Sequence, residues 1–80
     1  MAVELVMPKL GLTMTEGRIL TWLKAEGDTV DKGEGILEIE TEKLTNVVES
    51  PAGGTVLKIY GDAGESLPIA AVLAVIFFLI

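Results

Sequence analysis

The feature that most constrains the fold of this chain is an internal repeat with a spacing of 37 residues. At this shift, residues 17–20 align with residues 54–57, and residues 27–30 align with residues 64–67. Each half alone would leave one apolar face exposed to water. We therefore expect two facing sheets, related by a pseudo-two-fold axis, that share a single core. The same shift also pairs two sets of apolar residues: Ile36 with Leu73 and Ile39 with Ile76.

The hydrophobic residues occur in short blocks separated by Gly, Asp and Pro, without a sustained period of 3.6 residues. This pattern is typical of many short strands rather than helices. The sequence therefore predicts one all-β domain over residues 1–80, in two similar halves of roughly 3–40 and 44–80. The candidate strands are residues 3–7, 18–24, 36–40, 44–49, 55–60 and 72–76, with short extended pieces near Val30 and Leu67.

Gly27 and Gly64 occupy equivalent positions in the two halves, at turns where a positive φ is expected. The polar pairs that follow them, Asp28-Thr29 and Glu65-Ser66, can bond to nearby backbone amides. Both halves should therefore form the same corner.

Charge and composition exclude several classes of function. Six Lys and Arg against twelve Asp and Glu give a net charge of −6, so we expect neither nucleic acid nor an anionic membrane as a partner. The absence of Cys and His removes disulfides, thiol nucleophiles and the usual zinc ligands. The carboxylates lack the spacing of a calcium loop. We expect no metal site.

The two ends of the sequence lead to separate expectations. Residues 1–6 show no basic stretch followed by an apolar core, so we expect the cytoplasm of a bacterium or the mitochondrial matrix of a eukaryote. Residues 69–80 are uniformly apolar, too short to span a bilayer and unusual at the end of a soluble domain. If residues 77–80 continue the last strand outward, the domain should self-associate.

Two segments break the repeat, and function is expected where repetition does not explain the sequence. One is the extended loop of residues 8–16. The other is the central connection of residues 40–44, where a strand ends at Glu40 and another begins at Leu44. The chain must reverse around Glu42 and Lys43, and we expect a type I turn that projects Lys43 into solvent.

Several short motifs are spread over nearly the whole chain. They are MPKLGL at residues 7–12, TEG at 15–17, WLK at 22–24, EGD at 26–28, KGE at 32–34, ETEKL at 40–44 and ESPAGG at 49–54. Together they resemble the lipoyl domains of the biotinyl/lipoyl attachment family. The resemblance implies a flattened barrel of two four-stranded antiparallel sheets with Lys43 as the modified residue.

The resemblance also assigns roles around Lys43. It implies covalent attachment of lipoic acid to Lys43, with Glu42 and Leu44 flanking it for recognition by the attaching enzyme. The loop of residues 8–16 is similar to one that contributes to recognition by a decarboxylase. The residues that we expect to serve partner recognition are Lys9, Leu12, Thr13 and Glu40.

The cofactor is chosen by the residues beside the lysine, since biotin carriers share the fold. Biotin sites usually have Met on both sides, whereas Lys43 lies between Glu42 and Leu44. This favours lipoate. The lipoyl sites of the family more often have Asp before the lysine and Ala or Val after it, so this sequence departs from both patterns.

The resemblance implies a carrier that shuttles acyl groups and electrons within a 2-oxo acid or acetoin dehydrogenase complex, as part of a dihydrolipoyl acyltransferase. Its partners would be a thiamine-diphosphate-dependent decarboxylase, a dihydrolipoyl dehydrogenase and a lipoate ligase or lipoyl transferase. We expect no catalytic residue in the domain itself. The alternatives are a biotin carrier domain of a carboxylase, an unmodified β-sandwich interaction module and, less well matched in length, a glycine-cleavage carrier protein.

Other residues have simpler interpretations. An exposed lysine at a turn is usually a solvated charge, and the acidic residues near it are equally well explained as a solvated edge that discourages aggregation. We interpret Trp22 as packing rather than binding. Asn46 interrupts an inward apolar series and is expected to bond to backbone near the turn.

Overall fold

The structure, a computed structural model, describes residues 1–42 and 44–79, and Lys43 and Ile80 lie outside the described residues. Within the described residues every regular element is a strand. This agrees with the all-β prediction, and each predicted segment corresponds to a strand with small differences at its ends. The strands are β1 (Ala2–Val6), β2 (Glu16–Trp22), β3 (Thr29–Val30), β4 (Gly35–Thr41), β5 (Leu44–Glu49), β6 (Gly54–Ile59), β7 (Ser66–Pro68) and β8 (Val72–Phe77).

The strands form two antiparallel four-stranded sheets, in the orders β1-β8-β6-β3 and β5-β4-β2-β7. Replacing each strand of the first half by its counterpart in the second half, and the reverse, converts one sheet order into the other. Each sheet therefore combines two strands from each half. This arrangement confirms the predicted pair of sheets and explains why neither half could bury its apolar face alone.

Matched backbone hydrogen bonds show the pseudo-two-fold relation at the level of atoms. The amide of Gly27 donates to the carbonyl of Val56 at 2.8 Å, and the amide of Gly64 donates to the carbonyl of Ile19 at 2.6 Å. The two bonds are related by the repeat spacing of 37 residues. The φ angles of Gly27 and Gly64 are 93° and 92°, which confirms the positive φ expected at both turns.

The carboxylates that follow these glycines also act as a pair. Oδ2 of Asp28 accepts the amide of Ala25 at 2.9 Å, and Oε1 of Glu65 accepts the amide of Asp62 at 2.9 Å. The prediction that polar side chains after these glycines bond to backbone amides is confirmed for Asp28 and Glu65.

The core lies between the two sheets and is built from the repeated apolar positions. Ile19 and Val56, equivalent residues of β2 and β6, are 0% and 1% exposed. Ile39 and Ile76, equivalent residues of β4 and β8, are both fully buried. Trp22 packs against this core while its Nε1 donates to the carbonyl of Gly61 at 3.0 Å, in agreement with a packing role.

The two halves differ most in the connection that follows their first strand. Residues 7–15 join β1 to β2, whereas only residues 50–53 join β5 to β6. We call residues 7–15 the β1–β2 loop. Its Met7 and Met14 are buried and anchor it to the core, but Leu12 is 96% exposed. Met14 is therefore packed into the core, whereas Leu12 projects into solvent.

Met1 and Phe78, near the two ends of the described chain, lie side by side. The amide of Phe78 donates to the carbonyl of Met1 at 2.8 Å, and the amino group of Met1 donates to the carbonyl of Phe78 at 2.9 Å. Phe78 therefore extends the β1/β8 ladder, and Leu79 beyond it is 85% exposed. The described part of the chain holds no helix that could cross a bilayer.

Candidate functional site: the β4–β5 hairpin

The central connection of the chain is a tight hairpin between β4 and β5. Thr41 pairs with Leu44, which leaves a connection of two residues, Glu42 and Lys43. Lys43 lies outside the described residues, so the exposure predicted for its side chain stays a prediction. Both of its neighbours are exposed, Leu44 to 67%.

The turn differs in type from the one predicted. Glu42 has a φ of 47°, in the left-handed region, whereas the first central residue of a type I turn has a φ near −60°. The type I prediction is wrong. Two-residue hairpins favour turns that begin with a positive φ, because the twist of such turns matches the twist of the flanking strands.

The base of the hairpin is joined by a bond between side chains. Nδ2 of Asn46 donates to Oγ1 of Thr41 at 3.2 Å, and Thr41 is only 6% exposed. The expected partner of Asn46 was backbone, and the partner found is this buried hydroxyl. The bond supplies a partner for a polar group that water barely reaches, which explains an amide in an otherwise apolar series.

The β1–β2 loop contacts the hairpin directly. Oγ1 of Thr13 donates to Oε1 of Glu42 at 2.9 Å. The loop is also bonded to itself, since the amide of Met14 donates to the carbonyl of Gly11 at 3.2 Å and the amide of Leu10 donates to Sδ of Met14 at 3.3 Å. The sequence marked the loop and the hairpin as two separate departures from the repeat, and the structure brings them together.

The predicted recognition residues divide into two groups. Thr13 is bonded to the hairpin, whereas Lys9 and Leu12 are exposed on the loop, with no hydrogen bond to the hairpin among the described residues. Glu40 lies on β4, where its Oε1 is 3.7 Å from Nη1 of Arg18. Because both side chains are about half exposed, this ion pair is weak. The role of these residues in recognition stays a prediction.

A cleft lies between the β1–β2 loop and the hairpin, with a volume of about 100 Å³. Sequence reasoning missed it, since a cleft between two loops leaves no local pattern. We call it the tip cleft. Its lining residues are Leu10, Gly11, Met14, Thr41, Glu42, Leu44 and Asn46.

Acidic side chains surround the hairpin without forming a metal site. Glu38 and Glu40 are partly exposed on β4, and Glu42 and Glu49 are exposed. Among the described residues, no three carboxylates converge closely enough to share a metal ion. The described acidic residues therefore place negative charge along the hairpin, and Arg18 on the neighbouring strand β2 lies close to that of Glu40.

The comparison with protein families decides where this fold and hairpin belong. The sequence matches the biotin/lipoyl family, described as "Biotin-requiring enzyme", over residues 3–76. The chain belongs to this family. The match includes the β4–β5 hairpin and both sheets, so the resemblance seen in the motifs is confirmed over nearly the whole chain.

Curated relatives of this family member are acyltransferase components. The chain is 47% identical over 72 residues to the dihydrolipoyllysine-residue acetyltransferase component of the acetoin cleaving system of Pseudomonas putida, covering 90% of this chain and 20% of that protein. It is 43% identical over 73 residues to the corresponding component of the pyruvate dehydrogenase complex of Corynebacterium glutamicum, covering 91% of this chain and 11% of that protein. The chain thus spans a fifth or less of the length of these relatives.

Solved structures with the same fold include a carboxylase and a lipoyl domain. The Kluyveromyces lactis urea carboxylase matches with a TM-score of 0.83 and 30% identity, covering 96% of this chain and 6% of that chain. The lipoyl domain of the 2-oxoglutarate dehydrogenase complex of Azotobacter vinelandii matches with a TM-score of 0.74 and 24% identity, covering 92% of this chain and 96% of that chain. The second match, by its low identity, bears on the fold alone.

Proposed function

We propose that this chain is a lipoyl carrier domain, with lipoic acid bound as an amide to Lys43. The observation that carries the proposal is the hairpin. Thr41 and Leu44 close a two-residue connection that contains one lysine, and both neighbours of that lysine are exposed. The names of the curated acyltransferase relatives, which refer to a dihydrolipoyllysine residue, support lipoate as the attached group.

The described residues suit such an attachment. An enzyme that acylates the lysine must reach the turn from solvent. The residues on either side of the lysine, Glu42 and Leu44, are both exposed. The buried bond between Asn46 and Thr41 and the bond between Thr13 and Glu42 support the hairpin from both sides. When bound, the group supplies a disulfide that accepts electrons and an acyl group. This chain presents and orients it.

Amide formation also changes the electrostatics of the hairpin. It removes one positive charge, so the net charge of −6 becomes −7. The acidic residues of β4 and β5 then dominate the surface around the arm. We infer that basic rims of partner active sites receive this surface, because complementary charge raises encounter rates.

The partners follow from the proposed place in a larger acyltransferase. We propose a thiamine-diphosphate-dependent decarboxylase that loads the arm, a dihydrolipoyl dehydrogenase that reoxidises it, and a ligase or transferase that attaches lipoate. We propose that the domain itself has no catalytic residue, and that it works in the bacterial cytoplasm or the mitochondrial matrix. Tethering to its enzymes would give an effective concentration approaching millimolar with a short flexible linker.

A biotin carrier is the second candidate, favoured by one observation. The urea carboxylase structure aligns with a TM-score of 0.83, at a higher sequence identity than the lipoyl domain structure. Against it stand Glu42 and Leu44 beside the lysine, where biotin sites usually have Met. Lipoate is therefore the better-supported cofactor.

Intact-mass measurement separates the two cofactors. The chain is expressed once with a lipoate ligase and lipoate, and once with a biotin ligase and biotin. We expect the mass of one lipoyl group in the first case and no adduct in the second. Lys43→Arg should abolish the adduct, and the matched Lys58→Arg should retain it. A biotin adduct would support the second candidate, and a lack of both adducts would support an unmodified interaction module.

A further inference from the structure

We propose that the tip cleft is a resting seat for the dithiolane ring of the lipoyl group on Lys43. This inference rests on the proposed function. The cleft lies between the β1–β2 loop and the hairpin, and its lining includes both Glu42 and Leu44, the sequence neighbours of the attachment residue. Consecutive Cα atoms are about 3.8 Å apart, so the wall of the cleft begins one residue from the attachment point on either side. A flexible arm reaches it by folding back.

The size of the tip cleft limits what can enter it. Its volume is about 100 Å³. An enclosed apolar cavity of about 150 Å³ holds benzene. The tip cleft is smaller and partly open, so it can receive one face of a five-membered ring with two sulfurs, whereas the whole length of the arm would not fit. The aliphatic part of the arm would bridge the gap between Lys43 and the ring.

The walls of the tip cleft favour an apolar occupant. Leu10 and Leu44 leave 52% and 67% of their surface exposed, and a ring between them would remove part of that surface from water. Met14 is 5% exposed and contributes a thioether, a polarizable group that packs well against other sulfur and ring atoms.

The polar groups of the tip cleft disfavour a polar or anionic occupant. The Thr41 hydroxyl already accepts a bond from Asn46, and no buried side-chain nitrogen or oxygen among the described residues lacks a partner. No buried polar group of the cleft therefore needs a ligand. The Glu42 carboxylate at the rim would repel an anion. A neutral, apolar ring suits the tip cleft, because it needs no hydrogen-bond partner there and is not repelled by the Glu42 carboxylate.

The bond between Thr13 and Glu42 holds the two walls together. Thr13 belongs to the β1–β2 loop and Glu42 to the hairpin, so their bond of 2.9 Å links the two segments that line the tip cleft. Because both groups are exposed, the bond can open when a partner enzyme engages the loop. The seat would thus shield the disulfide between encounters and release it on contact.

The first test compares amide NMR spectra of three forms of the domain: unmodified, octanoylated on Lys43 and lipoylated on Lys43 in the oxidised state. The octanoyl chain is a matched control, because it has the aliphatic arm without the ring. We expect shifts at Leu10, Gly11 and Met14, and at the side-chain amide of Asn46, only in the lipoylated form. Equal shifts in the octanoylated form, or shifts confined to residues 41–45, would show that the ring does not bind in the tip cleft.

The second test measures how fast a water-soluble phosphine reduces the lipoyl disulfide, followed by the absorbance of the ring. Leu10→Ser removes one wall of the seat and should raise the rate about threefold, the change expected when partial burial of a leucine is lost. Leu57→Ser is the matched control, since Leu57 is 46% exposed on β6 and does not line the cleft. Equal rates in Leu10→Ser and the parent domain would contradict the proposal. Trp22 fluorescence verifies that both variants are folded.

Failure of the seat and failure of the carrier function give different results. If the mass of the domain does not rise with lipoate ligase, the carrier function fails and the seat fails with it. If the mass rises but the NMR shifts remain near the turn, only the seat is rejected.

Discussion

The Thr13 hydroxyl donates a hydrogen bond of 2.9 Å to Oε1 of Glu42, and so joins the β1–β2 loop to the residue that precedes Lys43. Both side chains are exposed, so water competes for each of them and the net contribution to stability is small. Instead, we expect the bond to restrict the motion of the turn. It ties a residue with a left-handed φ of 47° to a loop that is anchored in the core by Met14.

We therefore expect Thr13→Ala to loosen the turn without unfolding the domain. The free energy of unfolding should fall by less than about 0.5 kcal/mol, as for most surface substitutions. The amides of Glu42 and Leu44 should exchange with solvent several-fold faster, measured by hydrogen exchange at residue resolution. Thr13→Ser, which keeps the hydroxyl, is the control and should retain the slow rates. Unchanged exchange in Thr13→Ala would show that the strand pairing alone orders the turn.

Residues with a repeated, local signal were predictable from the sequence. Ile36 and Leu73 are related by the repeat, and both are fully buried. Gly27 and Gly64 were expected at positive φ, because glycine adopts that conformation more readily than any residue with a Cβ. In each case the residue type and the sequence next to it are sufficient to predict its conformation or its burial.

Features that depend on two distant segments were not predictable in this way. Thr13 and Glu42 are 29 residues apart, and nothing near either one specifies the other. The sign of φ at Glu42 comes from the twist of the two strands that it connects, not from the preference of Glu itself. The partner of Asn46 was missed for a related reason. Thr41 is only five residues away along the chain, but it comes within reach of Asn46 only once β4 and β5 have paired.

Equivalent glycines of the two halves should differ in their tolerance of a side chain. A Cβ on Gly54 would overlap the backbone carbonyl of Phe77 on the paired strand β8. A Cβ on Gly17 would instead meet Sδ of Met7 at 2.6 Å and Cε of Met14 at 3.3 Å, the movable ends of flexible side chains.

Gly54→Ala should therefore lower the free energy of unfolding by more than about 3 kcal/mol, since backbone must move, whereas Gly17→Ala should cost about 1 kcal/mol. Gly11→Ala is the control, because no atom lies within 4 Å of the added Cβ. Urea denaturation followed by Trp22 fluorescence measures all three. Similar losses for Gly54→Ala and Gly17→Ala would mean that β8 can shift to accept the methyl group.

Ala70 is strained at a position where the other half of the repeat has glycine. Its φ is 72°, and that of the equivalent Gly33 is 87°. The left-handed region costs a residue with a Cβ about 1–2 kcal/mol, while glycine loses about 0.4–1 kcal/mol through the greater freedom of the unfolded chain. We expect Ala70→Gly to raise the free energy of unfolding by about 0.5 kcal/mol and Gly33→Ala to lower it by about 1 kcal/mol.

Ala63→Gly is the control for Ala70→Gly. It shows how much stability an alanine-to-glycine change costs where no backbone strain is relieved. Ala63 is exposed and is not among the residues with positive φ, so this change should only destabilise the domain. For a domain of this size, 1 kcal/mol corresponds to a change of roughly 4–8 °C in Tm, which calorimetry resolves. A Tm that falls equally in Ala70→Gly and Ala63→Gly would reject the strain at Ala70.

The ion pair between Lys24 and Glu34 should give the domain a measurable dependence on acid. Nζ of Lys24 lies 2.8 Å from Oε2 of Glu34. The hydrogen bond from Lys24, together with that from the amide of Asp31, holds the pKa of the Glu34 carboxyl below its ordinary value. In turn, the hydrogen bond to Glu34 raises the pKa of Lys24.

The direction of each pKa change fixes the pH range in which stability is lost. Because the pKa of Glu34 is lowered in the folded domain, Glu34 contributes to the stability of the fold at any pH above its pKa in the unfolded chain, about 4.3. That contribution is lost as the pH falls through its pKa in the folded domain. The raised pKa of Lys24 means that its contribution is present below the unfolded value and is lost only in strong alkali. Glu34→Gln should therefore flatten the decline of Tm on the acid side of about pH 4.3, while the matched change Glu4→Gln on β1 should leave it in place. If Glu34→Gln shows the same acid decline as the parent domain, the pair does not couple protonation to folding and the acid sensitivity arises from other carboxylates.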